Sequence, residues 1–408
     1  MKAYERLLRY AAINTQSRDG AHDTPSTEQQ FQLARVLCGE MEAMGLARVY
    51  TDAHAYTYGF LPPSKGMEKE PVIGLIAHID TSPDFSGEHV RPLLHENYDG
   101  GELPLGESGR VLSPAQFPDL RGCVGQTLIT GDGSTLLGAD DKAGAAEILT
   151  LCERLIQEDL PHGGLALCFS PDEEIGHGCA LLDLERFGAD FAYTVDGGAV
   201  NTLSYETFNA ASAEIEIHGV SVHPGTAKDT MRNALLVAME LNARLPADEI
   251  PAKTEGREGF YHLLSLSGGV ARADMRYIVR DHDAGSFAHR CETLRQIARD
   301  LNEKYGPGTV RLTLREQYRN MAEKIAEHME IVERAEKAIR AAGLEPEILP
   351  VRGGTDGAKL SFRGLLCPNL GTGGAAFHGP YEHITVENMD RAVEILLHIV
   401  GKQDSLSA

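Results

Sequence analysis

The chain has no tryptophan, no CxxC pair and no apolar run approaching the roughly 20 residues that a membrane span requires. Its seven cysteines (Cys38, Cys123, Cys152, Cys168, Cys179, Cys291 and Cys367) are an odd number. This argues against a disulfide framework or a cysteine-based zinc site, and a reducing compartment fits better. Basic residues are also scarce: 38 Lys plus Arg stand against 60 Asp plus Glu, a net charge of −22. So acidic a surface repels phosphate backbones and anionic lipid, which argues against nucleic-acid and membrane partners. The charged start Met1-Lys2-Ala3-Tyr4-Glu5-Arg6 lacks the apolar core of a signal peptide. The expectation is a soluble cytoplasmic protein.

What is present is long enough for two cores. At 408 residues the chain exceeds the size at which one core keeps growing, so two domains are expected. Residues 71–80, 164–170 and 190–196 are short apolar runs that end in polar groups, as strands buried on both faces do. Helical patterns over roughly 28–45, 142–158 and 178–187 alternate with them, predicting an α/β layer whose mixed sheet is largely parallel and covered by helices. From about residue 208 the pattern changes. A strand at Ala213–His218, a helix over 230–245, paired strands at 260–267 and 273–280, a helix over 284–304 and a strand at Val310–Leu314 follow in order. That is the split ferredoxin-like β-α-β-β-α-β pattern, an inserted α+β domain. Beyond it, apolar spacing predicts a helix over Met321–Ala342, stopping at Gly343, and a last helix with Thr385 as N-cap. The expected organisation is a discontinuous domain, 1–207 with 318–408, around an inserted domain at 208–317.

Five metal-capable residues stand in short settings that suit them: His78, Asp140, Glu174, Asp196 and His378. Two imidazoles and three carboxylates are what two divalent ions need if one carboxylate bridges them. His78 and Asp80 end a strand, where open α/β sheets bind ligands, and Asp80 is placed to fix the histidine's tautomer. Taken alone, the pair also reads as simple strand capping. Asp140-Asp141 opens an Ala-rich helix, where one acid is an ordinary N-cap and two are less easily explained. In Asp172-Glu173-Glu174, neighbours in extended chain would face opposite sides, so one glutamate can bind metal while the other serves as base. A solvated acidic loop is the plain alternative. Asp196 precedes Gly197-Gly198, and His378 sits in a glycine-rich loop, neither persuasive by itself.

Together these segments resemble the peptidase T family, tripeptide aminopeptidases among the co-catalytic zinc peptidases and deacylases. The resemblance runs through residues 77–81, 137–144, 172–176, 195–198 and 377–379, and more particularly through 218–228 and 352–357. It implies two Zn²⁺ per subunit, with Co²⁺ or Mn²⁺ as substitutes. His78 and Asp196 would hold one ion, Glu174 and His378 the other, and Asp140 would bridge. A cis peptide would follow Asp140, Asp80 would orient His78, and Glu173 would be the general base. His223, in a lid and dimerisation domain, would stabilise the oxyanion, and Arg280 and Arg352 would bind the carboxylate end of the peptide. The implied activity is release of the N-terminal residue from short peptides, chiefly tripeptides, by Glu173-assisted attack of a metal-bridging water in a homodimer. One departure, residues 199–204, falls where the family more often has a glycine and an acid. It bears on peptide length, not on the chemistry. The competing readings are a dipeptidase, carboxypeptidase or N-acyl amino acid deacylase with the same core, and a non-catalytic protein that kept the fold.

Overall fold

The three apolar runs become neighbouring strands because each can bury both faces only inside a covered sheet. A computed structural model describes residues 1–401, and in it Ile73–His78 and Leu165–Ser170 are buried at every position. They form the middle of an eight-stranded sheet. Its order is Ala47–Thr51, Thr57–Leu61, Leu165–Ser170, Ile73–His78, Phe191–Gly197, Asn369–Gly371, Thr202–Ser204 and Glu347–Ile348. The four central strands run parallel, and antiparallel pairs flank them, which is the mixed, largely parallel α/β sheet the sequence predicts. The helix Ala139–Gln157 packs across it, seated so closely that a Cβ on Gly144 would lie 1.9 Å from the Val195 carbonyl oxygen.

The chain divides into two compact units. The first comprises Met1–Tyr205, Lys324–Leu349 and the described residues from Thr355 onward; the second comprises Glu206–Glu323 and Pro350–Gly354. Residues 402–408 of the expected first domain lie outside the described residues. The second unit has the split α+β topology. Strands Asn209–His218, Phe260–Gly268, Arg272–Asp281 and Val310–Tyr318 make an antiparallel sheet, with Asn209–His218 and Arg272–Asp281 central. Helices Ala234–Ala243 and Ala284–Tyr305 close its core with Leu241, Leu294 and Leu301.

Two expected helices differ. Over 178–187 only Leu184–Phe187 is helical, capped by Asp183 accepting from the Arg186 N–H. The preceding backbone is held by side chains instead: Asp356 accepts from the Cys179 N–H, Arg363 donates to the carbonyls of Cys179 and Leu182, and Lys359 donates to that of Gly176. With its polar groups satisfied in this way, that backbone has no need of a helical ladder. The predicted Met321–Ala342 helix breaks into Ala322–Ile325 and Met329–Ala341, with His328 non-helical between them, and the boundary between the units falls in the first piece. Thr385 caps the last helix as expected, accepting from the Asn388 N–H. Among the described residues no helix is long and apolar enough to cross a membrane.

Candidate active site

The carboxyl ends of the central strands bring His78 and Asp196 together, and the turns beside them add Asp140, Glu174 and His378. His78 Nε2 lies 3.0 Å from Asp140 Oδ1 and 3.5 Å from Asp196 Oδ1. His378 Nε2 lies 3.0 Å from Glu174 Oε2 and 3.4 Å from Asp140 Oδ2. Asp140 thus turns one oxygen to each imidazole. Two groups offer donor atoms close enough to share a cation: His78, Asp140 and Glu174, and His78, Asp141 and Asp196. Asp141 was not singled out by the sequence, where it read as the other half of an N-cap pair.

Several of these residues are held by partners outside the cluster. His78 Nδ1 lies 3.0 Å from the Asp80 carbonyl oxygen and 3.3 Å from Asp80 Oδ1. The wholly buried Asp80 carboxylate also accepts from the N–H groups of Glu173 and Glu174, at 2.9 and 3.3 Å. Those two glutamates sit in a turn, not in the extended chain expected, because Asp80 gathers both N–H groups and Asp172 precedes them at φ 57°. Asp172, which sequence reasoning passed over, accepts from Ser26 N, Ser26 Oγ and Gln30 Nε2. The Asp140–Asp141 peptide is cis. Asp141 accepts from the His78 and Gly144 N–H groups. Glu382 accepts from the N–H groups of Leu137, Gly138 and Asp140 at 2.7–2.9 Å, fastening the turn that presents Asp140. It lies four residues beyond His378, and nothing local in the sequence marked it.

So many acids in one place cannot all ionise without positive charge. Burial pushes the Asp196 carboxyl up to about 7 and raises Glu174 as well. Burial, then Asp356 and Asp196, hold Glu173 well above the usual carboxylate range. Burial also opposes ionisation of Asp140, yet hydrogen bonds from His378 and His78 keep its carboxyl far below that range. Reciprocally, Asp140 and Glu174 lift His378 to about 11. Glu174 Oε1 is buried without a hydrogen-bond partner. A crowded oxygen and nitrogen donor set, an acid excess and an unpartnered carboxylate oxygen together fit divalent cations.

The remaining expected residues lie in the second unit. His223 is exposed and accepts the Gly225 N–H at Nδ1, which leaves the proton on Nε2. Arg280 is half-buried, stacks over Tyr318 and donates to the carbonyls of Ala211 and Val279. Arg352 lies over the rings of Phe208 and Phe260, and its terminal nitrogens donate to Thr254, Gly256 and Glu258.

Comparison with known proteins matches this architecture. The chain is 50% identical over 401 residues to a protein named peptidase T from Caldanaerobacter subterraneus subsp. tengcongensis, covering 98% of each. Among solved structures it resembles an aminopeptidase PepT from Bacillus cereus, with TM-score 0.77 and 20% identity over 98% of this chain and 97% of that one. It also resembles a Bacillus subtilis protein described as a dinuclear metal binding peptidase, with TM-score 0.64 and 15% identity over 97% of each chain. At these identities the two structures speak for the fold. A sequence model described as peptidase family M20/M25/M40 matches residues 136–402. The chain belongs to peptidase family M20/M25/M40.

Proposed function

We propose that this peptidase is a dinuclear zinc aminopeptidase that releases the N-terminal residue from short peptides, chiefly tripeptides. The observation that carries this reading is Asp140, which directs one carboxylate oxygen to His78 and the other to His378. His78 and Asp196 would hold one Zn²⁺ and Glu174 and His378 the other, with Asp140 between them. Co²⁺ or Mn²⁺ could take their place, because first-row ions compete for such donors by availability as well as affinity. When bound, the pair supplies Lewis acidity and lowers the pKa of a water. Glu173 accepts the proton of the attacking water on its carboxylate and delivers it to the leaving amine nitrogen. Asp80 keeps that glutamate in place through the Glu173 N–H, so the base and the His78 ligand share one anchor.

The second unit serves in this reading as lid and dimerisation domain. Its edge strand Phe260–Gly268 exposes Leu264 and Leu266, and its helix Ala234–Ala243 exposes Leu236 and Met239, an apolar surface suited to a second copy in a homodimer. His223 Nε2–H would donate to the oxyanion. On this assignment His223→Ala lowers kcat on the order of a hundredfold, and a parent-like kcat would remove His223 from the catalytic set. Arg280 and Arg352 would take the carboxylate end of the peptide, for which Arg352 must release backbone carbonyls that it now holds. The unpaired cysteines support a cytoplasmic place.

Substrate class is tested by turnover of peptides of two, three and four residues, and of free, N-acetylated and C-amidated tripeptides. The free tripeptide is expected to be cleaved best and the N-acetylated form poorly. Equal cleavage of the N-acetylated peptide would instead support a deacylase or carboxypeptidase with the same core.

A further inference from the structure

His78 presents Nε2 to the carboxylate cluster, while its Nδ1 meets Asp80. His378 repeats the arrangement. Its Nε2 faces Glu174 and Asp140, and its Nδ1 lies 3.4 Å from Oδ2 of Asp84. Nothing else so far accounts for Asp84. It lies in the same Asp80-Thr81-Ser82-Pro83-Asp84 loop, so a single segment places one carboxylate behind each histidine.

The loop is held firmly enough for such a task. Gln16 Nε2 donates to the carbonyls of Ser82 and Phe85, at 3.1 and 2.9 Å, on either side of Asp84. The Asp84 N–H in turn donates to Ser82 Oγ. His378 comes from the far end of the chain at φ 62°, on a glycine-rich loop, and 42% of its side chain is exposed. A half-exposed imidazole on such a loop samples several ring orientations unless its second nitrogen is engaged.

We propose that Asp84 is the positioning residue for His378: it accepts the Nδ1–H, sets the tautomer that leaves Nε2 free as a donor to a cation, and orients the ring. This rests on the two-cation reading given above. Asp84 is itself largely exposed, at 69% of its side chain, so its replacement leaves folding intact.

The test titrates metal-free parent, Asp84→Ala and Asp84→Asn with Zn²⁺ against a competing chelator, and records tripeptide turnover across the titration. Parent binding of two Zn²⁺ sustains the two-cation reading, and parent binding of none defeats that reading independently of Asp84. In Asp84→Ala the affinity of one ion of the two falls by roughly 10–100-fold, as for other partners of ligating histidines, while the second ion binds as in the parent. Excess Zn²⁺ restores kcat. Asp84→Asn, which keeps an acceptor oxygen, falls between the two. Equal loss of both ions, or an unchanged affinity with only KM raised, would overturn the assignment; the latter would make Asp84 a contact for the substrate amine.

Discussion

Glu173→Ala is expected to bind its full complement of Zn²⁺ and yet lose about 10²–10⁴ in kcat on a tripeptide, the range that a positioned general base contributes. The expectation follows from how the two adjacent glutamates are separated in role. Their N–H groups share the Asp80 carboxylate, but only Glu174 meets the His378 ring, at 3.0 Å. Glu173 has no such imidazole contact, so its carboxylate is left out of the histidine-centred cluster while its backbone stays anchored on Asp80. On the proposed reading, a carboxylate anchored beside the ligands without being one of them is placed to take a proton from water and hand it on. Loss of the carboxylate should therefore appear in kcat with little change in KM or in metal content. If Glu173→Ala keeps both ions and turns over the peptide at the parent rate, Glu173 is not the base.

The second large effect is expected at Asp140. Asp140→Ala removes the one carboxylate directed at both histidines, so neither ion keeps its full set of donors. Metal content after dialysis should fall from two ions toward none, not from two to one. Lewis-acid stabilisation is worth several kcal/mol, so at about 1.4 kcal/mol per decade the loss of turnover is on the order of a thousandfold. The contrast with Asp84→Ala, where a single ion weakens, separates a bridging carboxylate from one that orients a ring. Retention of two tightly held ions in Asp140→Ala would show that Asp141, which faces His78 and Asp196, suffices without it.

Much of the fold was legible in the sequence because strands buried on both faces leave a strong mark. The apolar runs 71–80 and 164–170 suited strands in the middle of a covered sheet and contain the buried strands Ile73–His78 and Leu165–Ser170, and the alternation in Ala213–His218 marked a strand with one wet face that extends back to Asn209. The broken helices were not legible. Whether 178–182 coils depended on Asp356, Lys359 and Arg363, which arrive from far along the chain to claim its backbone groups. The candidate site divides in the same way. His78, Asp140, Glu174, Asp196 and His378 stood out by residue type at strand ends and glycine-rich turns, and their side chains do meet; that they act as ligands is the proposal put to test. The residues that hold them, Asp172, Glu382 and Asp84, left no local signature. A carboxylate that accepts backbone N–H groups looks in sequence like any other surface acid until the turn it fastens is known.

The most direct test of the account is a Zn²⁺ titration of the metal-free chain, with tripeptide hydrolysis measured at each step. The account predicts two ions bound per chain, turnover that rises with their occupancy, and its abolition by a chelator. Full turnover in a chain stripped of all metal would contradict it.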